Sequence, residues 1–406
     1  MSNNVKIFDV KGIKMLGNFE NGSIIGLDND GLNYVFENYS INENKLQPVK
    51  NIRNSNDIEN ALDELGFFEP EKDIIDSAYL HVTDSCNLHC LGCYSFVESR
   101  NAQSEMDTST IKKILVSMSS AGVKKIVISG GEPFLRDDIG EICRFIKEEC
   151  EMVYLSVITN GTLSLDRYIE SLVYIDELNI SIDGYDKESS FIRDTGIMAT
   201  VIETVKNLRD RVKINLIVTL HKKNIKYMDR YSELAKTLNV TYSYSIFTVS
   251  EDSQIFKDFL FKNEDLIEIE KRLSQLNNNV TVNDVPISEG VLYCRDRCEA
   301  GRKLISIDAK GFVYPCHMLH DKSLILGDAK KNEIREIVFS KSNPLLNNSV
   351  DDVEGCNSCD YKYLCGGGCR GRSFLKYGLF DKKDSYCALI YKFYENMIEE
   401  VKNQLG

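Results

Sequence analysis

No apolar run in this chain reaches the roughly 18 residues that a membrane-spanning helix needs, so no membrane span is expected. The opening Met-Ser-Asn-Asn-Val-Lys-Ile-Phe-Asp-Val lacks the apolar core of a secretion signal. Basic residues are in deficit: 49 Lys and Arg stand against 62 Asp and Glu, a net charge of −13. A surface of that sign argues against a nucleic-acid partner, because phosphate binding draws on clustered cations. Cysteine is missing from residues 1–72, although the chain contains 13. Thiols in that number without an export signal indicate reduced metal sites rather than disulfides, and a cytoplasmic location. The 406 residues suffice for two or three domains.

The most informative stretch is Thr-Asp-Ser-Cys-Asn-Leu-His-Cys-Leu-Gly-Cys-Tyr, with Cys86, Cys90 and Cys93 spaced C-x3-C-x2-C. Three thiols so close can wrap one cluster. A [4Fe–4S] cube takes four ligands, usually thiolates, so three leave one iron open. The alternative is zinc, which prefers four closed ligands, and His89 lies between the first two cysteines. Further on, Ser129-Gly130-Gly131-Glu132-Pro133 follows a strand pattern. Two glycines there let backbone approach a ligand, and a carboxylate beside them can accept from an ammonium group.

Residues 73–247 alternate strand and helix patterns. Six strands with intervening helices argue for parallel βα units. In 178–183 the apolar side chains face one way and Asn179, Ser181 and Asp183 the other, which puts the polar set inside a barrel. Helices are expected over 107–121, through Ile139, Ile142 and Ile146, near Tyr168, and over 198–208. Cys143 and Cys150 fall on the second helix's apolar stripe and read as small buried hydrophobes. Residues 1–72 read as short strands, with a turn at Asn21-Gly22, and two small helices. The first is capped at Asp28 or Asn29; the second spans 57–67 and is ended by Gly66 and Pro70.

Together the cysteine loop and Gly-Gly-Glu-Pro resemble the radical S-adenosylmethionine (SAM) enzymes. The resemblance implies an α/β fold, a partial (β/α)6 TIM-type barrel. In that family the open iron holds the amino and carboxylate groups of SAM, and one electron passed to the sulfonium releases a 5′-deoxyadenosyl radical. Exposed iron of this kind is oxygen-sensitive, so a low-oxygen host is expected. By resemblance Gly130, Gly131 and Glu132 hold the SAM amino group. Gly92 offers backbone to the adenine, and Tyr94 shields cluster and adenine. Asn160 lies in a turn at the third strand's end, where barrel ligand sites gather. Ser181 and Arg193 keep the spacing of SAM contacts in the sulfatase-maturing relatives.

Eight cysteines fall in residues 294–387. Cys298, Gly311 and Cys316, then Cys356, Cys359, Cys365, Cys369 and Cys387, match the spacing of the SPASM extension, which houses auxiliary [4Fe–4S] clusters. The sulfatase-maturing connectivity implies one cluster on Cys294, Cys298, Cys316 and Cys369. A second would sit on Cys356, Cys359, Cys365 and Cys387, making three clusters in all. Cys294 lies nearer Cys298 than its counterpart does in those relatives; without it, the first auxiliary cluster keeps an open iron. Where those relatives carry a catalytic aspartate, this chain has His317, a candidate base, and the change counts against sulfatase maturation.

The domains expected are 1–72, resembling leader-peptide recognition domains that add a peptide to a sheet edge; 73–247, the radical SAM core; 248–290, a helical bridge with Ile267, Ile269 and Leu273 apolar; and 291–406, the cysteine-rich SPASM domain ending in a packing helix with Ile390, Tyr394, Met397 and Val401 on one face. The function expected is hydrogen abstraction from a ribosomally made precursor peptide bearing a leader. The product would be a thioether, a C–C cross-link or a related modification, with flavodoxin or ferredoxin as electron donor. The alternatives are formylglycine formation in sulfatases and a non-catalytic zinc-binding protein.

Overall fold

The computed structural model describes residues 4–42, 45–49, 57–69, 74–98, 100–101, 105–249, 254–276, 281–283, 285–286 and 292–405. The chain opens with a small antiparallel sheet, β1 (Val5–Val10), β2 (Ile13–Asn18) and β3 (Ile24–Leu27), in the order β1-β2-β3. Lys11 and Gly12 both take positive φ, as a tight hairpin turn requires. Asp28 caps α1 (Asn29–Asn38), its side chain accepting from the Gly31 N–H at 2.7 Å. A hairpin of β4 (Tyr39–Asn42) and β5 (Lys45–Pro48), not anticipated from sequence, precedes α2 (Asp57–Glu64). That helix is shorter than expected because Gly66 turns left-handed at φ +69. Leu62 is buried whereas Leu65 is partly exposed; Pro70 lies outside the described residues.

The core domain contains β6 (Ser77–Thr83), α3 (Thr108–Ser120), β7 (Lys125–Gly130), α4 (Ile139–Glu148), β8 (Tyr154–Thr159), β9 (Glu177–Ile182), α5 (Ile197–Leu208), β10 (Ile214–Leu220), α6 (Met228–Leu238) and β11 (Thr241–Ile246). The element near Tyr168 is a 3-10 helix, Asp166–Tyr174. The six strands are parallel and lie in sequence order, as a partial βα barrel requires. Alternation decides what faces where. Leu155, Val157, Leu178, Ile180, Leu216 and Val218 are buried under the helices, while Ser156, Asn179, Ser181 and Asn215 turn inward. Cys143 and Cys150 are buried; burial pushes their thiols up to about 12 and about 11, as inert hydrophobes.

The boundaries read from sequence cut across one sheet. After α7 (Asn263–Gln275), β12 (Val282–Asn283) pairs parallel with β11, so the bridge ends as a barrel strand. Leu266 and Ile269 form its buried face; Ile267, expected among them, is exposed. At the other edge β13 (Leu304–Ile307) pairs parallel with β6 and is followed by β14 (Phe312–Tyr314) and β15 (Gly327–Asp328). The cysteine-rich region therefore continues the barrel sheet, giving ten strands among the described residues. It goes on through α8 (Ile334–Val338), α9 (Lys362–Cys365), α10 (Arg370–Tyr377) and α11 (Cys387–Leu405). The buried face of α11 is Leu389, Ile390, Tyr394 and Ile398, a register that leaves Met397 and Val401 half-exposed.

One ion pair anchors the cysteine-rich region. Arg372 and Asp384 are both almost wholly buried and meet through two 2.8 Å bonds, Nε to Oδ1 and Nη2 to Oδ2. Asp384 also accepts from the backbone N–H of Cys369 at 2.6 Å and of Tyr386 at 2.8 Å. Burial opposes the Asp384 charge, but Arg372 and these N–H groups hold its carboxyl below the usual range. Asp384→Ala strands a buried guanidinium, so stability should fall by about 3–5 kcal/mol. Urea unfolding of the apoprotein checks this, and a loss under about 1 kcal/mol would mean that the pair is not an anchor.

Candidate functional site

The cysteine loop leaves β6 at the C-terminal end of the barrel strands. Glu105 Oε1 accepts from Thr83 Oγ1 (2.6 Å), the Asp84 N–H (2.9 Å) and the Ser85 N–H (3.2 Å), which shapes the entry. Asn101 Oδ1 accepts from the Cys86 N–H, and Arg100 Nη1 donates to the Leu88 carbonyl. Cys86, Cys90 and Cys93 all line one cavity of about 760 Å³ that fills the barrel interior. Burial pushes the Cys86 and Cys90 thiols up; beside Cys90 the Arg193 guanidinium pulls the other way, with Nη1 at 3.8 Å. Arg100 Nη2 lies 3.3 Å from Cys93 Sγ.

His89 does not join the thiols. Its side chain is 81% exposed, with Nδ1 3.8 Å from Asp194 Oδ2. Among the described residues no three His, Cys, Asp or Glu side chains gather tightly enough for a single metal ion.

Gly92, Tyr94, Gly130, Gly131, Asn160, Ser181 and Arg193 line the same cavity. The glycines are sterically required: a Cβ on Gly130 would lie 2.2 Å from the Thr83 carbonyl oxygen, and one on Gly131 2.1 Å from that of Ser85. A Cβ on Gly92 would strike the Phe247 ring at 2.5 Å. Arg193 Nε is buried without a hydrogen-bond partner among the described residues, as a ligand-directed guanidinium would be.

Glu132 departs from expectation. It is fully buried and is not among the described residues that line the cavity. Its Oε1 accepts from Thr159 Oγ1 at 2.8 Å and its Oε2 from the Asn160 N–H at 2.8 Å. The carboxylate braces the Asn160 turn instead of facing the cavity. Asp183 is a similar brace that sequence reading missed. Its Oδ2 accepts from the N–H groups of Phe191 (3.0 Å), Ile192 (2.5 Å) and Arg193 (3.1 Å), which fixes the loop presenting Arg193. A carboxylate before glycine at a strand's end was the available signal.

Two further cavities lie in the cysteine-rich region. One, of about 390 Å³, is lined by Cys294, Cys298, Cys316 and Cys369. The other, of about 190 Å³, is lined by Cys356, Cys359 and Cys387. Cys365 borders both. These are the two sets that the resemblance implied. Burial pushes the thiols up, Cys294 to about 12, Cys369 and Cys387 to about 11. At Cys294, Cys369 and Cys387 burial favours the protonated thiol, so thiolate ligation there would be driven by a metal.

His317 and Met318 line both the barrel cavity and the larger of these two. The His317 ring stacks on Tyr79 at 4.2 Å and meets Tyr94 edge-on at 5.6 Å. Behind it, His81 and His320 lie 4.5 Å apart, and Ser306 Oγ bonds His320 Nε2 at 2.7 Å. Burial pushes His81 well below its ordinary range and His320 down to about 3, so both are neutral packing groups.

The radical SAM superfamily matches residues 80–235, and the SPASM iron-sulfur cluster-binding domain matches residues 298–360. The chain is a radical SAM enzyme with a SPASM domain. Its cofactors are SAM, a SAM-binding [4Fe–4S] cluster and auxiliary clusters. It is similar to the AdoMet-dependent heme synthase of Methanosarcina barkeri, 25% identical over 75% of this chain and 94% of the relative. It is also similar to the mycofactocin maturase MftC of Mycobacterium tuberculosis, 26% identical over 75% of this chain and 81% of the relative. Among solved structures, Streptococcus suis SuiB bound to S-adenosylmethionine superposes with TM-score 0.60 at 16% identity, over 95% of this chain and 99% of that one. That coverage extends the likeness in fold to the N-terminal domain.

Removing the Arg193 charge should weaken SAM binding while leaving all three loop thiols in place. Arg193→Gln is expected to raise the Kd about 10- to 100-fold, the loss of one charged hydrogen bond, with iron content unchanged. Equilibrium dialysis on reconstituted protein measures this, and an unchanged Kd rules out the contact. The thiol sets predict about 12 irons per chain, and Cys356→Ala should lower the iron by about four. Zinc in their place would return the chain to the binding-protein reading.

Proposed function

We propose that this enzyme modifies a ribosomally made precursor peptide, binding its leader on the N-terminal domain and its target residue in the barrel. The carrying observation is that the barrel cavity and the first cysteine-lined cavity of the SPASM region share a wall, His317 and Met318. A residue attacked in the barrel then lies next to a second redox site. When bound, the SAM-binding cluster supplies the electron that yields a hydrogen-abstracting radical. In this reading Cys86, Cys90 and Cys93 hold that cluster, and Gly130, Gly131, Asn160, Ser181 and Arg193 orient SAM. Gly92 and Tyr94 close over the adenine. Two auxiliary clusters occupy the thiol sets already described. His317 is the candidate base at the wall, able to take the proton that leaves as the substrate is oxidised.

Support for a peptide comes from three directions. Strand β3 pairs only with β2 among the described residues, so its outer edge is free to accept an added strand. MftC is named as a maturase of mycofactocin, and SuiB has been solved bound to its precursor peptide SuiA. The barrel lining is mostly neutral and polar, which suits a peptide backbone and an uncharged side chain. Formylglycine formation is disfavoured by His317 and by the free sheet edge of the front domain.

The test is anaerobic incubation of the enzyme with SAM, a low-potential donor such as flavodoxin or ferredoxin, and a short precursor peptide encoded beside its gene. The product should weigh two hydrogens less than the precursor, with stoichiometric 5′-deoxyadenosine. SAM cleavage with an unchanged peptide mass and no deuterium exchange from D2O would count against peptide modification. His317→Ala should then lower product formation while leaving SAM affinity intact.

A further inference from the structure

Seven of the eight cysteines in residues 294–387 sit inside the SPASM fold, but Cys294 is held by the N-terminal domain. Its backbone N–H donates to the Gly22 carbonyl at 2.9 Å, in the turn between β2 and β3. Its Sγ donates to the Ser23 carbonyl at 3.1 Å. On the other side, a Cβ on Gly17 of β2 would lie 2.8 Å from Cys294 Sγ, so glycine opens the notch in which the thiol sits. The next residue is tied to the SPASM side, where the Arg295 N–H donates to the Tyr363 carbonyl at 2.8 Å. Cys294 thus spans the joint between two domains.

That joint is built, not incidental. Glu20 pairs with Arg302 at 3.1 Å, with both side chains largely buried, and Lys303 Nζ donates to the Glu20 carbonyl. Asn4 Nδ2 donates to Asp296 Oδ2 at 2.8 Å. Phe8 and Phe19 meet the Tyr363 ring edge-on at 5.2 and 5.3 Å. Phe19, Glu20, Asn21 and Gly22 form one wall of the 390 Å³ cavity that Cys298, Cys316 and Cys369 line.

We propose that the turn between β2 and β3 is the positioning element for Cys294, and that the N-terminal domain thereby sets the ligation of the first auxiliary cluster. With the turn seated, the cluster has four cysteine ligands; with it displaced, one iron is open to a substrate sulfur. The eighth ligand is then a property of the domain joint rather than of the SPASM fold. Ser23 immediately precedes strand β3, so a peptide added there docks two residues from the Gly22 carbonyl, whose bond to the Cys294 backbone N–H survives when the thiol loses its proton to become a ligand. The proposal rests on Cys294, Cys298, Cys316 and Cys369 sharing one cluster.

The test uses full-length protein with Gly17→Val, Cys294→Ala and, as a control, Gly26→Ala, where an added Cβ meets nothing within 4 Å. In the apoprotein, Gly17→Val should raise the rate of Cys294 alkylation by N-ethylmaleimide severalfold, read by peptide mass spectrometry against buried Cys143. After reconstitution, Gly17→Val and Cys294→Ala should perturb the same component of the reduced EPR spectrum, with Gly26→Ala like wild type. Glu20→Ala, a milder loosening of the turn, should move both readouts in the same direction if Gly17→Val fails to fold. Wild-type alkylation and spectrum in Gly17→Val and Glu20→Ala would overturn the proposal, because Cys294 would then ligate unaided. An unperturbed spectrum in Cys294→Ala would overturn it by removing Cys294 as a ligand. Cys298→Ala tests the underlying cluster separately, since its failure to lower iron would sink that assignment and not merely the role of the turn.

Discussion

The parallel pairing of β13 with β6, from Leu304 opposite Ser77 to Ile307 opposite Leu80, is the constraint on which the geometry of this enzyme depends. A tethered domain could rotate about its linker; a shared backbone ladder cannot without breaking its hydrogen bonds. The pairing sets Ser306 beside Tyr79, and the chain then turns through β14 into Cys316 and His317. There His317 stacks on Tyr79, a residue of β6 itself, and meets Tyr94 edge-on. The wall between the barrel cavity and the first auxiliary cavity is therefore fixed by sheet register rather than by flexible side chains.

Burying thiols that must become anionic ligands has a cost, and the cations are distributed to offset it. Arg100 lies against Cys93 and Arg193 against Cys90. Arg372 lowers the Cys369 thiol from the height to which burial raises it. Asp384 keeps that guanidinium in place and binds the Cys369 backbone as well, so one carboxylate serves packing and electrostatics together. It also ties the two auxiliary cavities to each other, since the Cys387 N–H donates to the Asp384 carbonyl.

The parts legible in sequence were those where chemistry demands a fixed residue at a fixed spacing. The three loop cysteines and the paired glycines line one cavity, and the auxiliary thiols line two others divided as the resemblance implied, except that Cys365 borders both. The six-strand alternation was equally legible because a period of two leaves one choice of face. What escaped was long-range. Glu132 reads as a ligand contact, yet its carboxylate braces Asn160, because only the folded sheet brings the neighbouring strand's turn within reach. The continuation of the barrel by β12 and β13 joins segments far apart in sequence. The attachment of Cys294 to Gly22 and Ser23 spans more than 270 residues.

The barrel interior shows how room for chemistry is made. Barrels of this kind are usually filled by branched side chains. Here Asn179 Nδ2 donates to Ser156 Oγ, and Asn215 Nδ2 donates to both Asn179 Oδ1 and Ser243 Oγ, so small polar residues bond to one another round the wall. The apolar burial that stabilises the strands, about 1.5–3 kcal/mol for each large side chain, is confined to the outer layer beneath the helices. Among the described residues, the charges lining the floor are Glu177 and Lys213, which neutralise each other at 2.8 Å. The mouth, in contrast, carries Arg100 and Arg193. The cavity is thus cationic where the thiols of Cys86, Cys90 and Cys93 gather and neutral overall on its floor, so its two ends differ in electrostatic character within one space.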